Sequence, residues 1–124
     1  MGLTLVAMAD VHAETCPTVS GDSDIEVSNS CDNGIALIGG NNLTIGTPMS
    51  GTVTVTNPDG NVVSVVGTGN TINNTANGDI SSVDFNYGIY NRGTIDTLTN
   101  SGVIRAGMGG YGIINLNTIV ELTN

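Results

Sequence analysis

Lysine and tryptophan are missing from this chain, and aromatic residues make up only 3% of its 124 positions. Without large rings, a core of the usual globular kind is out of reach. A thin core of Val, Ile and Leu remains possible if the backbone brings equivalent positions into register. Cationic side chains are nearly absent too: Arg92 and Arg105 stand against 11 acidic residues, for a formal net charge of −9. Nucleic acid and anionic lipid both need clustered Lys and Arg, so neither is an expected partner through a basic patch. Charged residues of all kinds reach only 10%, too few for disorder driven by charge repulsion. The acidic excess reads as a solubilising surface.

Long apolar runs are also lacking. Leu3 to Ala9 is apolar but too short to span a bilayer. Val11 and Ala13 place small residues three before and one before a cut, which fits secretory cleavage after Ala13. Residues 1–13 are therefore expected to be the remnant of a signal peptide, without its basic leader, on a protein exported through the periplasm. The competing reading is a hydrophobic first strand. Cysteine is confined to Cys16 and Cys31, and in an exported chain such a pair reads as one disulfide. Closing a loop of about 15 residues contributes about 3 kcal/mol in the chain-entropy model. With a single His at position 12, the pair matches no zinc spacing.

What the chain does contain is repetition. The string from Tyr87 to Asn100 returns, without a gap, as Tyr111 to Asn124 at an offset of 24 residues. A fixed period of this size marks a stacked architecture. A third, worn copy runs from Thr71 to Ile80, aligned on Thr94 to Ile104 with one residue inserted. The apolar positions then form columns: Ile72, Ile95 and Ile119; Ile80 and Ile104; Ile89 and Ile113; Leu98 and Leu122. Asn77, Asn100 and Asn124 form an Asn column whose amides can bond along the stacking axis. The apolar residues are largely β-branched and separated by Thr, Asn and Gly, which are poor helix formers and frequent turn formers. Gly102 and Gly110 suit corners that a Cβ would block. At least three repeats are normally needed, and the chain stops in the middle of one, so a fragment of a longer protein is expected.

Upstream, residues 14–70 show no obvious copy and read as an N-terminal cap with irregular strands. Ile35 to Ile38 is a short strand candidate, and Thr52 to Thr56 alternates like a strand with one buried face. Asn57-Pro58-Asp59-Gly60 is a strong turn signal before Val62 to Val66. The two flanking strands suit either a hairpin or consecutive sides of one solenoid turn. Residues 71–124 are the repeat region, incomplete at its end.

The string from Tyr87 to Ile104 resembles the repeats of autotransporter passenger domains, whose pattern is close to "gIyN-GTI-tLtNsGtI". The likeness covers residues from about 71 to 124. It implies an all-β fold, a right-handed parallel β-helix (β-solenoid) of about 24 residues per rung with an irregular N-terminal cap. It also implies a bacterial surface or secreted protein, often an adhesin or virulence factor, with a host-cell receptor or glycan as partner. In that family the membrane is engaged through a C-terminal barrel, which these residues do not include.

Local strings invite sharper chemistry and lose to plainer readings. Gly21-Asp22-Ser23 resembles the nucleophile block of GDSL esterases, but Asp24 breaks the pattern and His12 would leave with the signal. Asp22, Asp24, Glu26 and Asp32 lack any Ca²⁺-loop spacing and read as a solvated acidic stretch. Gly67 to Asn70 and Gly107 to Gly110 lack the phosphate-loop Lys and read as corners. Asn42-Leu43-Thr44 and Asn73-Asn74-Thr75 match glycosylation sequons that a bacterial origin would leave bare. Tyr87, Tyr90 and Tyr111 suit either an exposed platform for glycans or mere stacking within the ladder. No catalytic, cofactor or metal residue is assigned. The expected function is a non-enzymatic surface scaffold; the alternative is the N-terminal part of a secreted β-helical polysaccharide lyase or hydrolase with its site elsewhere.

Overall fold

A computed structural model describes residues 14–124; the expected signal segment and His12 lie outside the described residues. The described chain is all strand and turn, with β1 (Asp24–Val27), β2 (Ile35–Leu37), β3 (Asn42–Ile45), β4 (Val53–Val55), β5 (Val63–Val65) and β6 (Asn70–Asn74) in its first part. There follow β7 (Gly78–Ser81), β8 (Tyr87–Asn91), β9 (Thr94–Asn100), β10 (Val103–Arg105), β11 (Tyr111–Asn115) and β12 (Thr118–Thr123). They form three parallel sheets, ordered β1-β3-β6-β9-β12, β4-β7-β10 and β2-β5-β8-β11. The chain visits the sheets in rotation, so each circuit is one turn of a β-solenoid. About four turns are stacked.

Alternation within each short strand explains why the stack holds. In β4 and β5 the flanking Val residues are buried and the central Thr54 and Ser64 point away from the core. One inward side chain then lies on its equivalent one turn on. In the five-stranded sheet the column is Ile25, Leu43, Ile72, Leu98 and Leu122. In the second sheet it is Cys31, Val55, Ile80 and Ile104. In the third it is Ile35, Val63, Ile89 and Ile113. Leu43, Ile72, Leu98, Val55, Ile80 and Ile89 are essentially inaccessible to solvent. The core is narrow, aliphatic and continuous.

Two sequence expectations change, and one open alternative is decided. The stretch 14–70 is not an irregular cap beyond its first residues: β1 to β5 already occupy the same three sheets as the recognisable repeats. Val53–Val55 and Val63–Val65 belong to different parallel sheets, so they are consecutive sides of a turn rather than a hairpin. The columns also shift. Ile72 lies on Leu98, not on Ile95, and it is Asn70 that stands under Ile95, where a register irregularity separates Asn70 from Thr71. Ile95 continues to Ile119.

The reason is that successive turns differ in length while the strands keep register. Stacked contacts link residues 18 apart between the first two turns, 29 apart between the next two, then 26, then 24. The variation is carried mainly by the corner from the first sheet to the second. That corner runs from Val27 to Cys31, then Ile45 to Val55, then Asn74 to Ile80, then Asn100 to Ile104. Corners are solvated and tolerate insertion, whereas a slip within a strand would turn the apolar face outward.

Candidate functional site

Asparagine supports the corners. Asn74 is fully buried, and its Nδ2 donates to Asn100 Oδ1 at 2.8 Å, to Val103 O at 2.9 Å and to Gly78 O at 3.3 Å. Asn100 Nδ2 donates in turn to Asn124 Oδ1 at 2.8 Å. The Asn column is thus Asn74, Asn100 and Asn124; Asn77 is not in it. Asn77 lies in the longer third-turn corner and donates to Thr47 O at 2.7 Å, bracing the loop below. A second ladder joins Asn91 Nδ2 to Asn115 Oδ1 at 2.7 Å. A third corner holds buried Asn41 and Asn70, with the Asn41 amide N–H donating to Asn70 Oδ1. The sequence signal for the first ladder is an apolar residue followed two positions on by Asn: Ile72 and Asn74, Leu98 and Asn100, Leu122 and Asn124.

At the opposite end of the stack, Cys16 and Cys31 form a disulfide with Cα atoms 4.9 Å apart, and both are buried. Cys31 also bridges to Val55, so the disulfide ties the incoming chain to the second sheet.

The suspected chemistry disperses. Ser23 Oγ donates to Ser20 O and accepts from Asn41 Nδ2, which occupies it within a turn. Asp24 accepts from Asn42 Nδ2 at 2.9 Å on the outer face. Among the described residues no three His, Cys, Asp or Glu side chains come together as a metal site. Arg105, which stands alone in the sequence, does have a partner. Its Nη2 donates to Asp79 Oδ2 at 2.6 Å, across one turn of the second sheet. Asp79 is buried, and its other oxygen, Oδ1, has no hydrogen-bond partner. The pairing is diagonal, since the register partner of Asp79 is Val103 and that of Arg105 is Ser81. Column matching along the sequence therefore misses it.

All three tyrosines converge on the third sheet. The Tyr87 and Tyr90 rings stack with centroids 5.6 Å apart and planes 17° apart, and Tyr111 lies 6.0 Å from Tyr87. The Arg92 guanidinium carbon is 5.6 Å from the Tyr90 centroid, within cation–π range. Below Tyr90 in register are Ser64 and then Ala36, so the outer face drops from a large ring to small side chains. A groove of about 150 Å³ opens there, lined by Asn33, Ala36, Asn57, Asn61 and Ser64 among others. Its lining carries no charged side chain. A larger apolar concavity, about 340 Å³, lies at the uncovered face of the last turn between Ile104, Ile113 and Leu122.

Compared with protein-family models, with curated proteins and with solved structures, the chain matches none.

Proposed function

We propose that this chain is a non-enzymatic scaffold of a bacterial surface or secreted protein, a piece of an autotransporter passenger that works in adhesion. The reading is supported by the similarity of the Tyr87 to Ile104 string to passenger repeats, together with a stack built to present side faces and corners. The disulfide is consistent with an extracellular or periplasmic location. The observation that carries the non-enzymatic half is the dispersal of ionisable groups: the only ion pair among the described residues is Arg105 with Asp79.

That pair is also what favours the second reading, a β-helical enzyme acting on polysaccharide. A carboxylate with one unpartnered, buried oxygen beside a guanidinium is the arrangement here nearest to acid–base work. Glycoside hydrolysis, however, uses two carboxyl groups flanking the bond, and the register neighbours of Asp79 on the adjoining turns are Thr54 and Val103, neither of them acidic. Incubation with polysaccharides and esters, with products followed by mass spectrometry, is expected to give no turnover. Turnover abolished by Asp79→Asn would replace the scaffold reading with the enzymatic one. Attachment of beads coated with the protein to host cells tests the adhesive half.

A further inference from the structure

We infer that the outer face of the third sheet is a binding site for an uncharged glycan, seated in the groove below Tyr90 with the stacked tyrosines as its wall. Three observations combine. The chain has only three Tyr, yet all three meet at one place, held by ring contacts of 5.6 and 6.0 Å. A partly exposed aromatic face suits the apolar C–H face of a pyranose ring, as aromatic side chains pair an apolar body with a wet edge. Ser64 and Ala36, next in register, leave room beside that wall that bulkier residues would fill.

The lining then supplies the polar complement. Asn57 is spent on the loop itself, donating to Asn61 O and accepting from the Asp59 amide. Asn61 Oδ1 accepts from the Tyr87 amide at 3.1 Å, which fixes the Asn61 side chain against the tyrosine cluster and ties groove to wall. Asn33 Oδ1 likewise accepts from the Cys16 amide. These bonds leave the Nδ2 groups of Asn33 and Asn61 and the Ser64 hydroxyl without a partner among the described residues, and directed amides and hydroxyls are what sugar hydroxyls require. Charge decides the class of sugar. Arg92, against the Tyr90 ring, is the one cation at the wall; the groove lining itself is uncharged, and in a chain of net charge −9 the surrounding field opposes uronate or sulfate.

The inference rests on the scaffold reading only in expecting binding without turnover. The test titrates the protein with neutral tetrasaccharides of glucose, mannose, galactose and N-acetylglucosamine, with polygalacturonate as the acidic comparison. Tyrosine fluorescence is the readout, because the chain has no Trp and its three Tyr cluster on the same sheet beside the groove. Amide chemical shifts of Asn33, Asn61 and Ser64 locate the effect. Saturable binding of a neutral tetrasaccharide, weakened about tenfold or more by Tyr90→Ala and by Ser64→Arg, is expected. Both variants are to keep the parent circular dichroism; Ser64→Asn serves as a smaller filling variant if Ser64→Arg does not fold. Absence of binding across the neutral panel, preference for polygalacturonate, or binding unchanged in the variants would overturn the site and leave the scaffold reading standing. A tetrasaccharide bound there and also shortened would support the site and overturn the scaffold reading.

Discussion

Asn74 Nδ2 lies 2.8 Å from Asn100 Oδ1, and the two residues are 26 apart in sequence. Two neighbouring turns of unequal length are thus locked together at a buried corner. Replacing Asn74 with Ala would leave the Gly78 and Val103 carbonyls short of a donor. The expected loss is about 1–3 kcal/mol. Asn77→Ala, at a half-buried corner, is expected to cost about 1 kcal/mol or less. Urea melts of the two variants check this, and equal losses would count against the assignment of the column.

Ile95 is fully buried while its neighbour Asp96 is exposed. Ile95→Asp places a carboxylate in a core a few side chains wide and is expected to prevent folding. Asp96→Ala is expected to stay within about 0.5 kcal/mol of the parent. Circular dichroism distinguishes the outcomes.

The disulfide closes a loop with a sequence separation of 15 residues. Cys16→Ser with Cys31→Ser is expected to cost about 2–4 kcal/mol, felt first in the first turn. Hydrogen exchange would show amides of β1 and β2 losing protection before those of β8 and β9, as neighbouring turns in a solenoid are coupled only locally.

Arg105 is largely exposed, but the carboxylate it meets is 9% exposed. Arg105→Ala removes the partner of a buried charge and is expected to cost about 1 kcal/mol, given solvent screening on the Arg side. Asp79→Asn in the same background should recover part of the loss, measured as a double-mutant cycle.

The repeat from Tyr87 to Asn124 was legible because its two copies share one length, and there a 24-residue offset coincides with true register, as in Ile80 on Ile104 and Ile89 on Ile113. Upstream the offset stops being constant. The worn copy matched Thr71 to Thr94 by residue type, yet the chain places Thr71 on Thr97, since the third-turn corner is longer and shifts everything before it. Leu43 and Ile25 occupy the same column as Ile72, but changes in corner length hide them from any search at fixed period. The Arg105–Asp79 contact and the groove at Ser64 were illegible for a different reason. Each joins residues on neighbouring turns, and which residues are neighbours depends on register.

Turns of unequal length stack in register, and a cross-linking pair measures that register. Thr71 and Thr97 are register partners on the outer face of the first sheet, where neighbouring parallel strands lie about 4.8 Å apart, within disulfide reach. Oxidation of the Thr71→Cys, Thr97→Cys variant, read by mass spectrometry after proteolysis, is expected to yield the 71–97 cross-link beside the native one. The Thr71→Cys, Thr94→Cys variant is expected to yield none. A 71–94 cross-link without 71–97 would contradict the account.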